Sequence, residues 1–146
     1  MGEDCSEENF WLQIPYFCGH HPACTIPGNE WALQEAKRNL YRHYLVVGIT
    51  EDFDSFLSVL ETILPRFYRG ARLIGAQNRI VRRTARKIPP LPETRKQLEA
   101  SKIYRMEREF YDFARAKFQT IKYKIQNNLL HPGEKIIYQN LVPKTL

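Results

Sequence analysis

The apolar run Leu45-Val-Val-Gly-Ile49, followed at once by Thr50 and an acidic turn, limits the possible folds more than any other stretch of the chain. The run has strand length, is rich in β-branched residues and shows no polar alternation. That pattern suits a strand buried on both faces, as in a parallel sheet. Thr50 is a natural N-cap, and Glu51, Asp52 and Asp54 put negative charge in a first helical turn, where the helix dipole favours it. Phe53, Phe56, Leu57, Leu60, Ile63 and Leu64 then make one apolar stripe until Pro65 breaks the pattern. A buried strand running into a capped amphipathic helix is a βα unit. The expected fold class is therefore α/β, with a parallel sheet flanked by helices.

The rest of the chain supplies mainly helical expectations. Asn29 is placed to cap a helix over 30–44, with Leu33, Ala36, Leu40 and Tyr44 inward. A long helix is expected over 93–123, burying Leu98, Ile103, Met106, Phe110, Phe113, Ala114, Phe118 and Ile121. Its charges, Glu107 and Glu109 with Arg105 and Arg108, and Asp112 with Arg115, read as a solvated mixed face. Residues 1–29 are punctuated by Pro15, Pro22, Pro27 and Gly28, so residues 10–17 are expected to pack as an extended segment. Residues 88–92 form a stiff proline-rich connector, residues 135–138 a short final strand, and residues 141–144 a tail.

Several function classes are excluded. With 43% hydrophobic and 12% aromatic residues, the 146-residue chain has the material for a core, which argues against wholesale disorder. No apolar run approaches the roughly 18 residues of a membrane span. The start Met-Gly-Glu-Asp-Cys has no apolar signal core and fits acylation poorly. The phosphate loop Gly-x-x-x-x-Gly-Lys, the nucleophile elbow Gly-x-Ser-x-Gly and the metalloprotease motif His-Glu-x-x-His are all absent. None of His20, His21, His43 and His131 has an evident carboxylate partner in sequence. On residues alone the chain reads as a binding surface without a catalytic base.

Two clusters carry the chemistry. Cys5, Cys18 and Cys24 all fall in the first 24 residues, and Cys18-Gly-His-His-Pro-Ala-Cys24 is a close pair in a tight loop. A local disulfide, buried free thiols, or a metal site using His20 and His21 each fit that spacing. The second cluster is Arg66, Arg69, Arg72, Arg79, Arg82, Arg83, Arg86 and Lys87, with no acid between Glu61 and Glu93. It accounts for much of the net charge of +6 and points to an anionic ligand, because guanidinium forks grip sulfate, phosphate and carboxylate. A solvated basic loop is the plainer alternative. Nucleic acid is disfavoured because no recognised nucleic-acid module is present.

A series of motifs in order resembles one family. These are Asp4-Cys5, Trp11-Leu-Gln-Ile-Pro-Tyr-Phe-Cys-Gly-His20 with Cys24, and Trp31-Ala with Gln34-x-Ala-Lys37-x-Asn39-Leu40. They continue with Leu45-Val-Val-Gly-Ile-Thr-Glu51, Leu64-Pro-Arg-Phe-Tyr-Arg-Gly-Ala71, Arg82-x-Thr84, Met106-Glu-x-Glu-Phe-Tyr-Asp-Phe113, Tyr138 and Pro143-Lys144. Almost end to end, the chain resembles the C-terminal part of the uronyl 2-O-sulfotransferases. Trp11 to Phe17 and Pro143-Lys144 favour the heparan sulfate branch over the dermatan and chondroitin branch. A non-catalytic, lectin-like module for sulfated glycans is the reading from another class.

The resemblance implies part of a P-loop-like sulfotransferase fold in a Golgi membrane enzyme, lumenal side, forming homotrimers. Such an enzyme moves sulfuryl from 3′-phosphoadenosine-5′-phosphosulfate to the 2-hydroxyl of iduronic or glucuronic acid in heparan sulfate, and no metal is expected. It also implies that residues 1–146 are the C-terminal portion of the domain. The membrane anchor, the donor-phosphate loop and the catalytic base would then lie upstream of Met1, so no catalytic residue is assigned here and the chain alone is expected to be inactive. Gly75, Ala76, Gln77, Asn78 and Arg79 correspond to a segment that folds over the donor, here two residues shorter. Thr84 and Lys87 correspond to donor contacts, and Arg82 to an arginine that contacts the acceptor saccharide. Cys18 and Cys24 correspond to a disulfide, and Cys5 to half of a second one.

Overall fold

The computed structural model describes residues 6–77 and 89–130. In chain order the helices are α1 (Gln13–Cys18), α2 (Glu30–His43), α3 (Phe53–Ile63), α4 (Pro65–Tyr68), α5 (Ala71–Gln77), α6 (Pro92–Ala100) and α7 (Lys102–Gln126). Short 3-10 turns precede α1, α2 and α3 at Glu7–Phe10, Pro22–Thr25 and Thr50–Asp52. The described residues divide into two compact units, 6–47 with 89–116 and 48–77 with 117–130.

The expected α/β class is not what the structure shows. No strand and no sheet occur among the described residues. Residues 46–49 belong to no helix, strand or ladder, and Ile49 alone is shown extended, at φ −115° and ψ 142°. A β-strand exists only where a neighbour takes up its backbone N–H and C=O groups, and apolar β-branched sequence cannot supply that neighbour. The run is used as packing instead. Val47 packs against the first unit's core, and in the second unit Ile49 is buried while Gly48 lies under Phe56. A Cβ at Gly48 would sit 2.4 Å from two atoms of the Phe56 ring, so the glycine here permits a close approach.

The first unit is built on α1, α2, α6 and the part of α7 up to Ala116. Its core joins Trp11, Ile14, Cys18 and Cys24 with Leu33, Ala36 and Leu40 of α2 and with Ile103, Met106, Phe110 and Ala114 of α7. Asn29 caps α2 as expected, its Oδ1 accepting from the Ala32 N–H at 3.2 Å. The stretch expected to be extended is the helix α1. Six residues are too few for a stable isolated helix, because nucleation costs more than so few hydrogen bonds return. Tertiary caps at both ends hold it. Glu107 of α7 accepts from the backbone N–H groups of Leu12 at 2.9 Å, Gln13 at 3.0 Å and Ile14 at 3.1 Å. At the other end, the Asn39 side-chain amide donates to the carbonyls of Phe17 at 3.1 Å and Cys18 at 3.0 Å.

The expected single helix over 93–123 is two helices, because Ser101 takes an extended conformation (φ −63°, ψ 131°) between them. Its hydroxyl oxygen accepts from the Tyr104 N–H at 3.4 Å, so serine closes one helix and caps the next. The apolar periodicity of α7 matches expectation. Ile103, Met106, Phe110, Ala114 and Phe118 are buried, while Leu98 on α6 and Phe113 and Ile121 on α7, also expected inside, are only half-buried.

In the second unit, α3 buries Val59, Leu60 and Ile63, while Phe53 is 52% exposed. Thr50 opens the 3-10 turn rather than capping α3 through its side chain. That turn is tied to α7 through Asp52, which accepts from Lys122 Nζ at 2.7 Å and from the Gln119 amide at 3.5 Å. Pro65 ends the α3 pattern as expected and also opens α4, where its missing N–H costs nothing. Phe56 meets Phe118 edge-on at 6.2 Å between ring centroids. No helix among the described residues is long and apolar enough to cross a membrane.

Candidate functional site

The described part of the basic segment runs from Pro65 to Gln77 in the second unit. It forms two short helices, α4 and α5, separated by Gly70 in the left-handed region at φ +84°. The helix α5 continues through Gly75 to Gln77. α5 is fixed to α3 in two ways. The Arg72 N–H donates to Glu61 Oε1 at 3.1 Å. A Cβ on Gly75 would lie 2.5 Å from Leu57 Cδ1, so the absent side chain lets α3 and α5 close together.

Arg66, Arg69 and Arg72 are all exposed. None of the three is ion-paired with a carboxylate among the described residues. Phe67, at 62% exposure, and Tyr68 lie between the first two arginines. The segment thus offers guanidinium donors beside an aromatic surface. Such an arrangement can bind an anion but holds no general base.

Of the residues expected to contact donor or acceptor, only Gly75, Ala76 and Gln77 fall within described structure, at the end of α5. Packing against Leu57 accounts for glycine at position 75. Asn78, Arg79, Arg82, Thr84 and Lys87 lie outside the described residues, as do Cys5, His131 and the expected strand over 135–138.

The cysteine alternatives resolve to a disulfide. Cys18 and Cys24 are bonded, with Cα atoms 5.6 Å apart. That bond occupies both sulfurs and removes the metal alternative for the pair. Among the described residues, no group of three or more His, Cys, Asp and Glu is placed to hold a metal ion. His21 has a structural role: its Nδ1 accepts from the Ala23 N–H at 3.2 Å, and its ring packs on Trp31 at 4.8 Å. The Trp11 indole N–H donates to the Cys24 carbonyl at 2.8 Å, fixing the same loop.

Several side chains that the sequence placed on a solvated face prove to be fasteners. Glu107 caps α1, and Glu109 pairs with Lys37, whose ammonium also sits over the Phe113 ring. Asn39 closes the far end of α1. In sequence these residues look like ordinary helix-surface polars. Their presence within the quoted motifs was the one available signal. Phe110 belongs to the core and Phe113 packs at its edge.

Two groups carry shifted ionisation. The hydrogen bond from Lys122, helped by one from Ser55, holds the Asp52 carboxyl below the usual carboxylate range. Burial lowers the Lys117 ammonium.

No protein-family model matches the chain. Its sequence is similar to a protein of Drosophila melanogaster named heparin sulfate O-sulfotransferase, with 41% identity over 97% of this chain and 41% of the relative. It is 39% identical to heparan sulfate 2-O-sulfotransferase 1 of Gallus gallus, over 99% of this chain and 42% of that protein. The protein of the same name from Xenopus laevis is 45% identical over 83% of this chain and 35% of its own length. The chain spans about two fifths of the length of the curated relatives it matches. Such identity, sustained over nearly all of the residues, places the chain in the heparan sulfate 2-O-sulfotransferase family.

Proposed function

We propose that residues 1–146 are the C-terminal portion of a heparan sulfate 2-O-sulfotransferase. In that enzyme, the acceptor is the 2-hydroxyl of iduronic or glucuronic acid and the donor is 3′-phosphoadenosine-5′-phosphosulfate. The observation that carries this reading is the match of nearly the whole chain, at 39–41% identity, to two sulfotransferases of animals as distant as fly and chicken. The basic segment supports it, since donor and acceptor are both polyanions. The disulfide supports it too, because such bonds persist in oxidising compartments such as the secretory lumen.

In the proposed reaction the bond between the sulfuryl sulfur and the donor phosphate oxygen breaks, and a new bond forms from sulfur to the uronic acid 2-oxygen. The hydroxyl proton passes to a base, and adenosine 3′,5′-bisphosphate leaves. Like phosphoryl transfer, this chemistry depends on alignment and charge neutralisation. Arg82 is proposed to hold the acceptor. Thr84 and Lys87, with the segment from Gly75 to Arg79, are proposed to hold the bisphosphate. The base is proposed to lie outside this chain, together with the donor-phosphate loop and a membrane anchor. Golgi residence and trimeric assembly belong to the same proposal.

The test is sulfuryl transfer by the full-length transcript product onto 2-O-desulfated heparan sulfate, read by disaccharide analysis after lyase digestion. New 2-O-sulfouronate in heparan sulfate is expected. Sulfation of dermatan or chondroitin sulfate alone would move the chain to the other branch of the family. The isolated 146-residue chain should show no turnover, and measurable turnover would refute the placement of the base outside it.

A further inference from the structure

We propose that Glu61 and Leu57 of α3 are positioning residues for the sulfuryl donor, acting on it through α5. The role rests on the proposed function, in which the segment from Gly75 to Arg79 holds the bisphosphate. Gly75, Ala76 and Gln77 are the last three residues of α5. Seven residues are too few to hold a helix by their own hydrogen bonds, because nucleation costs more than those bonds return. The turn before α5 is not clamped by packing either. Gly70 lies in the left-handed region at φ +84°, and beyond its chain neighbours no atom is within 4 Å of where its Cβ would be. What α5 lacks, α3 supplies. Leu57 and Glu61 are four residues apart and so lie on one side of α3.

The two contacts act at opposite ends of α5. Glu61 Oε1 accepts at 3.1 Å from the Arg72 N–H, one of the amides that a helix start leaves without an intrahelical partner. Its negative charge also suits that end of a helix. Towards the other end, a Cβ on Gly75 would lie 2.5 Å from Leu57 Cδ1, so only glycine lets α5 rest this close on α3. Together the contacts set where α5 begins and how near α3 it ends, and hence where the backbone from Gly75 to Gln77 stands. A carboxylate has no attraction for a bisphosphate, so the place of Glu61 beside a donor-holding segment is explained by the amide it caps. In a reaction that depends on alignment, a displacement of about 1 Å in such a segment is costly even when its cause lies away from the reacting atoms.

The experiment uses the full-length transcript product and measures donor KM and acceptor KM, with affinity for adenosine 3′,5′-bisphosphate by calorimetry. Glu61→Ala should raise the donor KM and weaken bisphosphate affinity about fivefold, the effect of one lost helix cap, and leave the acceptor KM unchanged. Glu61→Gln keeps an acceptor for the Arg72 N–H and should recover most of the loss. A lower melting temperature in Glu61→Ala, with both KM values at wild type, would make Glu61 a stability residue alone and overturn the proposal. Arg79→Ala, in the segment itself, separates this role from the assignment it rests on. A raised donor KM there beside a wild-type one in Glu61→Ala would overturn the positioning role and leave the donor assignment standing. Wild-type donor KM in both would overturn the two together. Should Glu61→Ala fail to fold, Gly75→Ala decides. It should raise the donor KM, and adding Leu57→Ala, which makes room for the new methyl group, should lower it again. No recovery in that double variant would overturn the proposal.

Discussion

The two units hold themselves together by different means. The first is fastened by a local covalent link and by long-range polar ones. A disulfide closes the 18–24 loop, an indole bonds its carbonyl, and one short helix is capped at both ends by side chains from other helices. The second has a smaller buried set around α3, and Asp52 with Lys122 as its long-range ion pair among the described residues. Both units expose large apolar side chains, among them Leu12, Tyr16 and Tyr41 in the first and Phe53, Phe67, Leu73 and Ile74 in the second. The second sets Phe67, Leu73 and Ile74 in a segment with three exposed arginines. Most of the family motif residues described in the first unit explain stability, while those of the second include the exposed Arg66, Phe67 and Arg69. Membership in a motif does not by itself mean contact with substrate.

The sharpest way to break this comparison is Phe110→Ala. Phe110 is 1% exposed in the first core, and removing its ring should cost about 3–5 kcal/mol. Hydrogen exchange should show lost protection in α1 and α2 and retained protection in α3. Equal loss in α3 would show that the two units unfold as one. Replacing Cys18 and Cys24 by serine should cost somewhat less, about 2–3 kcal/mol for so short a loop, read as a lower denaturation midpoint under non-reducing conditions.

The second unit has its own test in Gly48→Ala. The new Cβ would meet the Phe56 ring, and displacing it should cost about 1–3 kcal/mol. A neutral result in thermal unfolding would mean that Phe56 moves freely and that this unit is looser than described. Glu107→Gln keeps an acceptor but loses the charge at the start of α1, so about 1 kcal/mol should be lost, with amide exchange faster at Gln13 and Ile14.

The smallest effect is a pH dependence. The Asp52 carboxyl is held below its usual range by Lys122, so the folded state binds its proton less tightly than the unfolded chain. Its contribution is present above the ordinary carboxylate pKa near 3.8 and fades as pH falls through the lower folded value. Lys122→Met should abolish that part of the acid sensitivity. Identical unfolding profiles between pH 6 and pH 3 for both proteins would remove Asp52 from the account.

Sequence reading succeeded where the cause was local or periodic. Asn29 capped α2, Pro65 ended the α3 pattern, and the 3.6-residue repeat of α7 named its buried side. Residues 45–49 carry the apolar β-branched pattern of a strand, but a strand needs a partner, and residue type does not supply one. Sequence reading failed at α1, where the prolines suggested extension while Glu107, 95 positions from Leu12, supplied the cap. It missed Glu61 as the anchor of α5 for the same reason.

By itself, the sequence determined the helices with strong periodicity, the location of positive charge, the close cysteine pair and the family. These depend on residue type and on spacing within a few turns. The tertiary structure decided that residues 45–49 join no strand and serve as packing, that α1 exists, that the 93–123 stretch breaks at Ser101, and that Glu107 and Asn39 are fasteners. Each of these depends on which distant group comes within hydrogen-bond or van der Waals reach, and spacing along the chain does not encode that.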